Sequence, residues 1–137
     1  MANASRPLPS LDDPDSAPFW EATKQHQLRY PVCNACRQVI FFPRRHCPHC
    51  LSLDLRWDTS KGAGSVYTFS TVALSRHPFF GDKTPYVVAL IDLDEGFRMM
   101  SNVVGLADPE RELKVGQRVR VEWEDHEALS LQVFRPV

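Results

Sequence analysis

The chain holds four cysteines, and they stand as two Cys-x-x-Cys pairs, Cys33 with Cys36 and Cys47 with Cys50, with ten residues between the pairs. Two thiolates on one tight turn converge on a single ion, and two such knuckles close a tetrahedral sulfur shell of the kind that holds zinc. The gap is short for a zinc ribbon and suits a compact rubredoxin-like one. Disulfide pairing is the alternative, and it belongs to secreted scaffolds. Four sulfurs leave no open position for water or substrate, so one Zn2+ bound here holds structure rather than performing chemistry. The same commitment removes every thiol from service as a nucleophile.

The ribbon, residues 28–53, is too short to bury a core of its own. Metal binding must therefore supply most of its folding free energy, on the order of 10 kcal/mol for structural zinc. A divalent ion with four thiolates adds two negative charges, which takes the formal net charge from −1 to −3. Arg37, Arg44, Arg45, His46 and His49 flank this anionic centre in sequence. They read first as charge compensation and a solvated ribbon surface, and second as a small anion-binding patch.

The elements that must position these residues follow in order. Residues 1–17 are rich in Pro, Ser and Asp, and are expected to form a loosely packed or disordered tail. Residues 18–60 read as a short helix plus the ribbon. Ser16 is placed to cap the helix, Pro18 is tolerated in its first turn, and the chain continues helical to Gln27. Phe19, Trp20 and Thr23 fall on one stripe. Phe19 and Trp20 either pack on this chain or form a partner-docking face, since so short a helix is marginal alone. Gln38 to Phe42 is β-prone, and Leu51 to Ser60 is a strand-like connector. Lys61-Gly62-Ala63-Gly64 is a glycine hinge between two modules.

From 61 to 137 the pattern is strands without a convincing helix. Ser65 to Leu74, Tyr86 to Leu93, Phe97 to Val104, Val119 to Glu124 and Leu129 to Val133 make five, with Asp94-Glu95-Gly96 as a hairpin turn. The fold class is mainly β: N-terminal short helix, four-cysteine ribbon and C-terminal five-stranded OB-fold barrel. An SH3-like barrel fits the strand count nearly as well.

Composition bounds the function. With 43% hydrophobic and 24% charged residues in 137, the chain has globular values. It has no apolar run of the roughly eighteen residues a membrane span needs. The opening residues lack a basic region and an apolar run, so a secretory signal is not expected, and metal-type cysteines point to the reducing cytoplasm. A pI near 6.5 argues against a dedicated duplex-DNA binder. Single-strand binding stays as an alternative, with Tyr67 and Phe69 as stacking platforms, though the negative charge weighs against nucleic acid. A rubredoxin-like iron protein is allowed by the ligand set alone. The chain holds no Gly-x-Ser-x-Gly elbow and no Walker loop. Asp125-His126 reads as a solvated turn at the end of a strand.

Taken together, the order helix, ribbon, hinge and barrel resembles the zinc-ribbon OB-fold family named domain-of-unknown-function 35, across residues 18–137. The matching stretches are Phe19-Trp20-Glu21, Ile40-Phe41-Phe42-Pro43-Arg44, Gly64-Ser65-Val66-Tyr67-Thr68 and His77-Pro78-Phe79. Pro85 to Leu90 with Asp94-Glu95-Gly96, and Leu113-Lys114-Val115-Gly116 with Val119 to Glu124, complete the set. Arg37 and Leu51 depart from it, standing after the knuckles where the family often has glycine. The resemblance implies an accessory subunit, with no catalytic residue of its own, that binds acyl-CoA beside a thiolase-like or hotdog-fold hydratase partner in a hetero-oligomer. The hydratase dyad Asp-x-x-x-x-His is not in the chain. The loop Ser75 to Pro85 is the ligand-binding candidate. Phe79 and Phe80 must fold back on the barrel or be covered by ligand or partner, Arg76 and Lys83 are placed for the phosphates of coenzyme A, and His77 stands beside them.

Overall fold

Residues 5–137 are described by the structure, a computed structural model. The first residues of the expected tail, 1–4, lie outside them. Residues 5–12 form no helix or strand. Arg6 nevertheless lies against the barrel, 2.9 Å from Glu124. A charged side chain with a carboxylate and two aromatic rings to meet is held even on a segment without regular structure.

Helix α1 (Ala17–Thr23) carries Pro18 in its first turn as expected, but Ser16 does not cap it. The Ser16 hydroxyl instead bonds to Asp13 Oδ2, and the Ala17 amide bonds to the Asp13 carbonyl. The helix stops short of Gln27. His26 turns left-handed at φ 56°, and the Gln27 amide returns to the Ala22 carbonyl. Thr23 is fully buried. Its hydroxyl donates to the Trp20 carbonyl and accepts from the Ser130 amide, which fastens the helix to the last strand.

Strand β1 (Arg29–Cys33) pairs antiparallel with β2 (Leu55–Thr59), and the two knuckles lie between them. The β-prone stretch after the first knuckle forms only a single bridge, Val32 with Val39. It packs Ile40 against Cys33 and Cys47 instead.

The barrel consists of β3 (Ala63–Val72), β4 (Tyr86–Leu93), β5 (Arg98–Val103), β6 (Arg118–Asp125) and β7 (Ser130–Pro136). It closes in the order β3-β4-β5-β7-β6, with β6 returning to β3. Only the β5–β7 contact is parallel. Period-two patterning drives this: β4 alternates Val87, Ala89, Ile91 and Leu93 into the core. At Gly64 a side chain is excluded, because a Cβ there would stand 2.5 Å from the Asp92 carbonyl oxygen. A one-turn helix, α2 (Pro109–Glu112), lies between β5 and β6, where strands alone were expected.

One buried cluster runs through helix, ribbon and barrel, taking in Phe19, Leu28, Tyr30 and Val32 together with Val66, Ile91, Phe97 and Phe134. Tyr30 and Phe41 both pack on Phe97, at ring-centroid distances of 4.7 and 5.0 Å. Glu95 accepts from the Ser60 hydroxyl and the Lys61 amide, so the glycine stretch is tied to a barrel turn. The ribbon thus gains from barrel packing part of the stabilisation it lacks by itself.

Candidate metal centre and barrel-mouth site

The four sulfurs of Cys33, Cys36, Cys47 and Cys50 all lie within 4.8 Å of one another, and all four are unbridged thiols. Cys33 Sγ is 3.5 Å from Cys50 Sγ, and Cys36 Sγ is 3.6 Å from Cys47 Sγ. Four sulfurs about 2.3 Å from a tetrahedral ion stand about 3.8 Å apart, so the cluster fits such an ion with little movement. Each knuckle is closed by backbone amides. The Cys36 amide donates to Cys33 Sγ and the His49 amide to Cys47 Sγ. The Arg37 amide returns to the Cys33 carbonyl and the Leu51 amide to the Cys47 carbonyl, each at 2.8 Å.

Those return bonds require a left-handed residue after each knuckle. Arg37 has φ 64° and Leu51 φ 67°. The two departures from glycine therefore keep the turn geometry and carry its strain. The thiols also differ in acidity. The Cys36 amide bond, opposed by desolvation, brings Cys33 down to about 7. At Cys36 the pull of the Gln38 amide is outweighed by desolvation and by the neighbouring thiols, and the group is pushed up to about 12. Four thiolates cannot crowd together without a cation, which the donor set is built to meet.

Asn34, Asp54 and Arg56 brace the first knuckle, and sequence reasoning missed them. Asn34 bonds through both its amide and its side chain to Asp54, and Arg56 donates to Asn34 Oδ1 at 2.8 Å. Their only signal is polar residues facing one another across a pairing that had to be known first. Among the described residues, Arg37, Arg44 and Arg45 make no ion pair, and all three are exposed.

The β3–β4 loop packs its aromatics together. Phe79 and Phe80 meet edge to face at 5.0 Å, and Phe80 rests 5.3 Å from Tyr86. The Arg6 guanidinium covers both rings at 5.6 and 5.3 Å, and Lys83 Nζ lies 4.6 Å over Phe79. The rings are therefore covered by this chain's own cations. Lys83 is occupied rather than free, while Arg76 is exposed. His77 Nδ1 accepts from the Phe79 amide and shapes the turn. Behind the loop is a cavity of about 150 Å3 lined by Phe80, Tyr86, Val103, Val133, Asn102 and Glu124, with Arg6 and Lys83 at its rim. Arg6 Nε sits 2.9 Å from Glu124 without an aligned acceptor, so this contact is a charge pairing rather than a directed hydrogen bond. Arg6 was not singled out in the sequence, because its partners lie nearly the whole chain away.

The remaining candidates divide between the alternatives left open in the sequence. Phe19 is 3% exposed and packs on Trp20 and Phe41, so it is spent in the chain's own core, whereas Trp20 is half-buried. Tyr67, considered as a stacking platform, carries the Arg98 guanidinium 3.4 Å over its ring, and Phe69 packs against the core. Both rings already have partners.

This arrangement, a closed-shell four-sulfur ribbon packed on an OB barrel, defines a class of zinc-ribbon and OB-fold proteins. Residues 20–56 match the family model for the rubredoxin-like zinc ribbon domain of ChsH2, and residues 57–124 match its C-terminal OB-fold domain. The chain belongs to the DUF35 family of which these domains are part. It is 30% identical over 99 residues to a DUF35 domain-containing scaffold protein of Methanothermobacter thermautotrophicus, covering 72% of each. A probable enoyl-CoA hydratase alpha subunit of Thermomonospora curvata is 41% identical over 136 residues, which is 97% of this chain and 40% of that protein. The 3-oxo-4,17-pregnadiene-20-carboxyl-CoA hydratase alpha subunit of Mycobacterium tuberculosis is 32% identical over 127 residues, 89% of this chain and 38% of that protein. The chain thus spans about two-fifths of these two relatives. A solved structure described as an Ltp2-ChsH2(DUF35) aldolase contains a chain with TM-score 0.83 and 38% identity, covering 96% of this chain and 98% of that one. Among the described residues no helix is long and apolar enough to cross a membrane.

Proposed function

We propose that this chain is a non-catalytic accessory unit of a complex that processes acyl-CoA, holding one structural Zn2+ and completing the substrate site of a thiolase-like partner. The observation that carries the reading is the match, over nearly all of both chains, to a chain of the solved structure described as an Ltp2-ChsH2(DUF35) aldolase. The residue chemistry agrees with it. Cys33, Cys36, Cys47 and Cys50 would hold the ion, whose role is to fix the two knuckles. With its thiols so used the chain keeps no sulfur nucleophile for acyl transfer. Such a thiolate shell fits a reducing cytoplasm.

Size supports a shared rather than a complete site. Pockets for whole ligands run to about 300–1,000 Å3, and the cavity behind Phe80 holds about 150 Å3. It has room for a pantetheine arm or acyl segment against Phe80, with Phe79 beside it; Arg76 is exposed and free for the phosphates, and Lys83 reaches them by leaving the face of Phe79. The partner supplies the rest. A hotdog-fold hydratase partner is the second reading, favoured by the two relatives described as hydratase alpha subunits. The test is to purify the tagged chain from its native host and identify the enzyme that travels with it. A thiolase-like enzyme supports the first reading and a hydratase the second; recovery without an acyl-CoA enzyme overturns both. Elemental analysis should find one zinc per chain, and iron with a visible absorption band would overturn the metal assignment. Calorimetry with acetyl-CoA in the presence of the partner should show binding that Arg76→Glu with Lys83→Glu weakens about tenfold.

A further inference from the structure

A second surface, separate from the barrel mouth, is left uncovered where helix, ribbon and barrel meet. Trp20, Phe41, Phe42, Pro43, Met99 and Met100 line a groove of about 80 Å3 there. Phe42 is 69% exposed and Met100 60%, although Phe41 beside them is drawn into the shared core. A soluble chain seldom leaves a large ring and a thioether side by side in water without a use. Phenylalanine, tryptophan and methionine are also the side chains enriched where proteins meet.

The charges around the groove say what covers it. In the barrel, Arg98, Arg118 and Arg135 are each matched by a carboxylate, Asp92, Asp94 and Glu122. On the ribbon, Arg56 is matched by Asp58, but three further arginines are not. Arg44 and Arg45 follow in the chain directly on Pro43, which lines the groove, and Arg37 lies on the first knuckle; among the described residues none of the three has an acidic partner. Four thiolates around a divalent ion leave a local charge of −2, but that charge is shared among sulfurs already bonded to backbone amides. It does not form the directed fork that a guanidinium makes with a carboxylate. An apolar groove with two exposed, unmatched arginines next in the chain to its lining fits the complementary pattern on a partner: an apolar side chain seated among aspartates and glutamates.

We infer that the Trp20–Phe42–Met100 groove, with Arg44 and Arg45, is the face by which this chain docks on its partner enzyme, and that it receives an acidic-rimmed apolar patch of that protein. This rests on the accessory-subunit reading and names the surface that serves it. The barrel mouth then stays open to the substrate, because docking uses Met99 and Met100 near the start of β5 and ligand contact uses Asn102 and Val103 at its end.

The test places the photo-crosslinker p-benzoylphenylalanine at Phe42 in the native host, alongside Phe42→Asp, Met100→Glu, and Arg44→Glu with Arg45→Glu. Val115→Asp, an exposed residue outside the groove, is the control. The expected result is a cross-link to an acidic peptide of the co-purifying acyl-CoA enzyme, complex dissociation at least tenfold faster in each groove variant, and no change in the control. Zinc content and circular dichroism of the variants should match the parent, since the substituted side chains are exposed. If the enzyme co-purifies but neither cross-links at position 42 nor responds to the variants, the docking face is overturned while the accessory reading stands. If no acyl-CoA enzyme co-purifies, the accessory reading and this inference fail together. Cross-linking to a second copy of the chain, or to nucleic acid, would also overturn it.

Discussion

Arg37 and Leu51 offer a measurement of how local backbone strain is linked to metal affinity. Each closes a knuckle in the left-handed region, at φ 64° and 67°, and each returns its amide to a cysteine carbonyl at 2.8 Å. For an L-residue that conformation costs about 1–2 kcal/mol. Glycine avoids this cost but loses about 0.5–1 kcal/mol more entropy on folding. Replacing either residue by glycine should therefore give a protein about 1 kcal/mol more stable than replacing it by alanine. That sign is opposite to an ordinary helix or strand position. Arg37 is exposed and makes no ion pair among the described residues, so Arg37→Gly should also exceed the parent. Leu51 is 72% exposed, and the modest apolar packing that its side chain does make, absent in Leu51→Gly, offsets about half of the gain. In the metal-loaded protein the glycine–alanine gap should appear as about 3–4 °C in Tm. Because the ribbon folds around the ion, the same gap should appear as about fivefold in metal Kd by competition with a chelator. Alanine variants equal to or better than glycine at both positions would refute the idea that these turns store strain.

Three further outcomes follow from the structure. Cys47→Ser removes one of the two fully buried ligands, and the variant should bind at least a hundredfold less zinc by chelator competition, with Trp57 on β2 reporting a loosened ribbon by fluorescence. Gly64→Ala would place a Cβ 2.5 Å from the Asp92 carbonyl oxygen on the facing strand, and urea unfolding should show a loss of about 2 kcal/mol. Asp125 is held below the usual carboxylate range by hydrogen bonds from Ser130 and then His26, and Asp94 by its bond from Arg118. Since the native values lie below those of the unfolded chain, these groups add stability above about pH 4, and lose it as pH falls through the depressed values. Asp125→Asn should flatten the acid side of a stability–pH curve, and an unchanged slope would count against the His26–Asp125–Ser130 clamp.

The metal site was legible because its information is local. Cys-x-x-Cys places two sulfurs on one turn whatever surrounds them, and two such turns need only a return of the chain to meet. The barrel strands were legible for a similar reason, since Val119, Val121 and Trp123 alternating with charged neighbours define a half-buried strand without reference to a partner. The helix was legible in place but not in extent, because its end depends on His26 turning left-handed so that its ring can stack on Trp123 and reach Asp125.

What lay beyond the sequence was set by pairs far apart in the chain. Nothing near Phe19 says that it enters a core shared with Phe41 and Phe97, and nothing near Lys83 says that it lies over Phe79. Arg6 reaches Asn102 and Glu124 only because closure of the barrel brings β5 and β6 to one mouth. Residue type and spacing determined which atoms bind the ion and which segments become strands, since turns and pleats are short-range geometry. Tertiary packing decided which aromatic and charged side chains are already taken and which remain open to another molecule, because occupancy depends on neighbours that chain order does not name.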